Sequence, residues 1–170
     1  MLPPKAFTIS AQNGDLGAAM PAIGFGTMLL PHRPGELVAH AIKSGYRLID
    51  TARKYGTEER VGEGIRASGI ARAELWVTTK VTEENAREAD FLKSAETSLK
   101  ALGLDYVDLL LVHWPQPNVP LQETLGALAK AKRSGLPRHL SRSNSTVAMP
   151  AEGVRRSPGR LSTHPPGLPP

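Results

Sequence analysis

Short apolar runs alternate with amphipathic helical patterns along this chain, and that alternation limits the fold more than any other feature. The runs are Ala22–Thr27, Tyr46–Asp50, Leu75–Lys80 and Tyr106–Trp114. Between and after them, helix-period stripes recur: Leu37, Val38, Ala41 and Ile42 within 36–43, Val61 and Ile65 within 58–67, Phe91, Leu92, Ala95, Leu99 and Leu102 within 90–102, and Leu125, Leu128 and Ala129 within 124–132. Strands that are apolar on both faces and alternate with helices are parallel strands of βαβ units. A doubly wound sheet and a closed barrel both satisfy this pattern. The glycine-rich first run, Gly24-Phe25-Gly26-Thr27, lacks the G-x-G-x-x-G turn into a helix that a dinucleotide-binding βαβ unit requires, which favours the barrel.

The ends read differently. Residues 1–20 form an N-terminal hairpin in this reading, with Asn13-Gly14 supplying the positive φ angles of a tight turn. Residues 21–140 carry the βα units. Residues 141–170 are rich in Ser, Pro and Arg, hold Pro150 inside the one weak apolar pattern, and are expected to be a degenerate or disordered tail. The chain has no cysteine, so thiolate catalysis, disulfides and Cys-based metal sites are excluded, and no metal is expected. The formal net charge is +5, yet no dense Lys/Arg run or aromatic RNA-binding motif accompanies it, so nucleic acid is not an expected partner. No apolar stretch reaches the length of a membrane span, and the first residues lack a signal-peptide core, so a cytoplasmic location is expected.

Polar residues fall at the ends of successive strands. Asp50 ends the second, Tyr55 follows five residues later, Lys80 ends the third and His113 lies at the end of the fourth, with spacings of 30 and 33 residues from Asp50 to Lys80 to His113. In a parallel α/β barrel these positions face one mouth. Singly, each has an ordinary explanation: a turn cap, a wall residue, a solvated lysine, a histidine satisfying a turn. On consecutive units at matching positions they describe one chemistry. A carbonyl that accepts hydride needs a proton on oxygen, and a tyrosine can give one. A neighbouring ammonium favours the phenolate left behind, so Lys80 assists Tyr55. Asp50 holds Lys80, and His113 orients and polarises the carbonyl. A Schiff-base lyase with Lys80 as nucleophile is the competing enzymatic reading.

The segment Gly45–Gly62, GYRLIDTARKYGTEERVG, resembles the first signature of the aldo-keto reductase family, with Asp50, Tyr55, Glu58, Val61 and Gly62 at the motif positions. LWVTTK and DYVDLLLVHWPQPN resemble the family segments that carry its lysine and histidine. The resemblance extends from about Pro21 to His139 and implies a (β/α)8 TIM barrel that reduces aldehydes or ketones with NADPH. It implies Tyr55, Asp50, Lys80 and His113 as the catalytic residues. It also implies Gly26, Thr27, Asp50, Ser143 and Asn144 at the cofactor, and Tyr55, His113 and Trp114 at the substrate. The HWP-x-PN segment resembles the bacterial branch that acts on 2,5-diketogluconate. The family's fifth strand ends G-V-S-N-F; here Leu140-Ser141-Arg142-Ser143-Asn144-Ser145 keeps only the Ser-Asn pair. Arg142, at an inward position, would bury a charge.

The family's later cofactor-holding residues have no counterpart before Pro170, so the barrel is expected to be truncated after four to five βα units. Such a half-barrel would expose its inner face and its apolar strand edges, self-associate through them, and reduce carbonyls weakly or not at all. A non-enzymatic fragment or pseudoenzyme is the alternative.

Overall fold

The computed structural model describes residues 6–9, 18–30 and 32–143. Strand β1 (Ala6–Ile9) pairs antiparallel with β2 (Ala18–Pro21), with Ala6 opposite Pro21. The proposed Asn13-Gly14 turn lies outside the described residues. A second, five-stranded sheet holds β3 (Gly24–Gly26), β4 (Leu48–Asp50), β5 (Trp76–Val81), β6 (Val107–Val112) and β7 (Pro137–Arg142), all parallel and in chain order. Helices α1 (Pro34–Lys43), α2 (Glu58–Ser68), α3 (Glu88–Leu102) and α4 (Leu121–Arg133) connect them and pack in the same succession, each against the next. A doubly wound sheet reverses its strand order at a switch point. This sheet has no reversal among the described residues, as in a βα barrel.

The main core lies between sheet and helices. Val38, Ile42, Ile49, Val61, Val77, Phe91, Leu102, Leu110 and Leu128 are buried there. At the crossing of α2 and α3, a Cβ on Gly62 would overlap the backbone carbonyl of Leu102, so only glycine lets the two helices approach this closely. The Val61-Gly62 pair of the signature is thus a packing feature.

Element boundaries moved for local reasons. Helix α1 begins at Pro34, whose fixed φ suits a first turn. Strand β4 starts at Leu48 rather than Tyr46, because the Tyr46 amide still bonds the Ala41 carbonyl and the Arg47 guanidinium caps Ile42 and Tyr46 carbonyls. Helix α4 starts three residues early, at Leu121, with the Pro120 carbonyl accepting its first amides. Strand β7 runs through the boundary drawn at 140/141, and residues 144–170 lie outside the described set.

The inner face differs from expectation. An open half-barrel should wet this face, yet Trp76, Leu109 and Leu111 are buried, with Met20 and Leu48 packed against them. Trp76 on β5 and His139 on β7 stack across β6, their rings 5.3 Å apart and 8° from parallel. The two strands thereby share one flat aromatic contact above Leu109, which stands opposite His139 in the ladder. Among the described residues β3 and β7 are the sheet's edges.

One polar cluster ties three strands at their N-terminal ends. The buried Asp108 carboxylate accepts from the Arg72 guanidinium at 2.6 Å and from the Val77 amide at 2.9 Å, while the Arg138 guanidinium lies 3.6 Å away. The Tyr106 ring sits between the two guanidinium groups, 4.2 Å from Arg72 and 4.0 Å from Arg138.

Candidate active site

The sheet's hydrogen bonding continues past its C-terminal ends. Thr27 N–H donates to the Asp50 carbonyl at 3.0 Å, and Thr51 N–H to Thr78, His113 N–H to Val81 and Ser143 N–H to Val112, each at 2.9 Å. These bonds set Thr27, Thr51, His113 and Ser143 in line along one rim. Asp50 closes β4, and Lys80 is the penultimate residue of β5. Tyr55 ends a single 3-10 turn, Arg53–Tyr55, stopped by Gly56 in the left-handed conformation.

The side chains converge. Lys80 Nζ donates to both Asp50 carboxylate oxygens at 2.7 and 2.9 Å and to the Thr51 carbonyl at 3.0 Å. It lies 3.4 Å from Tyr55 Oη and 5.1 Å from the Tyr55 ring centre. The Tyr55 ring presents edge-to-face to His113, with centroids 5.8 Å apart. Lys80 and His113 are buried; Asp50 and Tyr55 are half-buried. A proton can therefore leave the phenol toward the mouth while a fixed ammonium faces the oxygen it leaves.

His113 is held neutral. Its burial, and next the Lys80 ammonium, push the imidazole below its ordinary range, with Glu83 and Asp50 opposing. A neutral ring offers one N–H donor and one acceptor to a carbonyl substrate. The unfolded chain takes up the proton first as pH falls below about 6.5, so this contribution to stability is complete above that value. It is lost as pH falls from there through the lower folded value. Urea midpoints should therefore fall between neutral and mildly acid pH, and fall less in His113→Gln. An identical fall in both proteins would show that His113 does not carry the effect.

Other residues named from the sequence occupy the same rim. Gly26 stands opposite Asp50 in the ladder, and a Cβ there would meet nothing within 4 Å. The Thr27 hydroxyl is buried without a hydrogen-bond partner. Bare backbone beside an unsatisfied hydroxyl suits a flat ring laid across the strand ends, so these residues fit a nicotinamide. Trp114 follows His113 and is 48% exposed. Met28 and Leu29, which follow Thr27, are exposed too, and Leu29 takes a left-handed backbone that non-glycine residues seldom adopt. Asn144 lies outside the described residues.

The sequence missed the supports. Thr51 acts through a backbone carbonyl, which no side-chain pattern encodes. Glu58 opens α2, where an acid normally complements the helix dipole at the surface, yet it is 3% exposed. Its carboxylate accepts from the Thr79 hydroxyl at 2.6 Å. Lys54 and Glu83 pair at 2.6 Å and link the 3-10 turn of Tyr55 to the loop after β5. Only a place inside the quoted motif, in the case of Thr51, Lys54 and Glu58, could have marked any of these. Among the described residues, no His/Asp/Glu group could hold a metal ion and no helix is long and apolar enough to cross a membrane.

Known proteins resemble this chain in sequence and in fold. The aldo/keto reductase family model matches residues 22–155. The methylglyoxal reductase DkgB of Escherichia coli O157:H7 is 41% identical over 142 residues, covering 80% of this chain and 52% of that protein. The morphine 6-dehydrogenase of Pseudomonas putida is 51% identical over 104 residues, 61% of this chain and 35% of that enzyme. The crystal structure of a putative 2,5-diketo-D-gluconic acid reductase B superposes with a TM-score of 0.78 at 42% identity, covering 84% of this chain and 51% of its own. That of a Bombyx mori aldo-keto reductase in complex with NADP gives 0.85 at 31% identity, covering 95% and 57%. The chain spans about half the length of the curated relatives it matches. With the family match running over most of its length and its parallel strands in chain order, the chain belongs to the aldo/keto reductase family.

Proposed function

We propose that this chain carries the proton-donating part of an NADPH-dependent carbonyl reductase site, acting on small aldehydes and ketones of the methylglyoxal or 2,5-diketogluconate kind. The observation that carries this reading is the 3.4 Å approach of Lys80 Nζ to Tyr55 Oη while the same ammonium grips Asp50. When bound, the nicotinamide supplies hydride to the carbonyl carbon. Tyr55 Oη gives its proton to the carbonyl oxygen. Lys80 stabilises the phenolate charge that remains, and Asp50 keeps Lys80 in place. His113, neutral and edge-on to Tyr55, orients the carbonyl by hydrogen bonding. Gly26 and Thr27 would lie against the nicotinamide, with Ser143 and Asn144 at its carboxamide. Trp114 would wall the substrate pocket.

The lyase reading fits less well. Schiff-base formation needs an amine lone pair, and Lys80 Nζ is surrounded by the acceptors Asp50 and the Thr51 carbonyl, a setting made for an ammonium. The test is NADPH consumption at 340 nm with methylglyoxal, beside a fluorescence titration of NADPH. Methylglyoxal-dependent oxidation, even slow, is the expected result. NADPH that binds but is never consumed with any of a panel of aldehydes would overturn the proposal.

A further inference from the structure

Glu58 is a carboxylate in a place where a carboxylate is costly. It is 3% exposed, and one oxygen has a single partner, the Thr79 hydroxyl at 2.6 Å. The other is buried without a hydrogen bond, 3.7 Å from the Arg53 guanidinium. A well-packed apolar side chain at such a site is often at least as stabilising as a buried charge. Stability alone therefore does not explain the residue, and its two partners suggest what does. Thr79 is the strand neighbour of Lys80. Arg53 opens the 3-10 turn that ends in Tyr55. Glu58, three residues past Tyr55, is the first residue of α2. One carboxylate thus joins the turn that presents the phenol to the strand that presents the ammonium, on the face of β5 opposite to that of Lys80.

We propose that Glu58 is a positioning residue that sets the Tyr55–Lys80 separation by tying the Arg53–Tyr55 turn and the start of α2 to β5 at Thr79; this rests on the reductase reading given above. The helix N-terminus favours its negative charge, which makes the tie affordable at this position and not a turn later. The 3.4 Å gap between Oη and Nζ is the distance it governs. Displacing reacting groups by about 1 Å lowers rates on the order of 100-fold.

The experiment compares Glu58→Leu, Glu58→Gln and Thr79→Val in the whole chain by two readouts. The first is the 13Cζ resonance of Tyr55 in tyrosine-labelled protein, identified among three tyrosines by its loss in Tyr55→Phe. The second is carbonyl reduction. Glu58→Leu should displace the Tyr55 resonance and lower kcat on the order of 100-fold with KM little changed. Glu58→Gln, which keeps an acceptor for Thr79, should restore most of both. Thr79→Val should displace the resonance in the same way, and it stands in for Glu58→Leu if that variant does not fold. The resonance needs no turnover, so an inactive parent chain would sink the reductase reading while leaving the tie open to test. A Tyr55 resonance that stays in place in folded Glu58→Leu or Thr79→Val, whatever the loss of stability, would overturn the inference.

Discussion

Tyr55→Phe is expected to leave the chain folded and to cut carbonyl reduction by about 10²- to 10⁴-fold, the usual worth of a positioned general acid. The substitution removes one oxygen and little else. Lys80 keeps both Asp50 oxygens and the Thr51 carbonyl, so no buried ammonium is orphaned. The aromatic ring keeps its edge-to-face contact with His113. The loss should therefore appear in kcat, with NADPH affinity and far-UV circular dichroism unchanged. A variant within about threefold of the parent would mean that another group, or water, delivers the proton.

The second large effect concerns stability. Asp108→Ala should destabilise the fold by about 3 kcal/mol, measured by urea denaturation. Breaking a buried ion pair by removing one partner costs about 3–5 kcal/mol. The lower end applies because Arg72 retains the Leu75 and Tyr106 carbonyls at 2.8 and 3.1 Å and is itself partly exposed. The Val77 amide, by contrast, loses the side-chain acceptor that it uses between β5 and β6. Asp108→Asn, which retains an acceptor oxygen, should lose less. A cost below about 1 kcal/mol for Asp108→Ala would show that the cluster relaxes onto its remaining partners.

The sequence carried the order of strands and helices because each strand is a short run buried on both faces and each helix buries a stripe of period 3.6, and both patterns survive without tertiary information. It pointed to Asp50, Tyr55, Lys80 and His113 as one cluster because positions at and just after strand ends of successive βα units face one mouth, and the structure brings these four side chains together. It misjudged the inner face because Trp76 and His139 are 63 positions apart in the chain and meet only across an intervening strand. Nothing local to either residue announces that contact. Glu58 was read as a motif position with no role for the opposite reason: an acid at a helix start has an ordinary local explanation, and burial is a property of the packed molecule. The Arg72–Tyr106–Arg138 sandwich likewise joins residues from three separate units.

The two tryptophans occupy optically distinct settings. Trp76 is pressed flat against an imidazole inside the sheet, whereas Trp114 stands beside the mouth with about half its surface, 48%, in water. An aqueous quencher such as iodide reaches one indole and not the other. The molecule's own emission therefore separates into an interior signal and a doorway signal, and a small guest lodged at the doorway can be watched without attaching any dye.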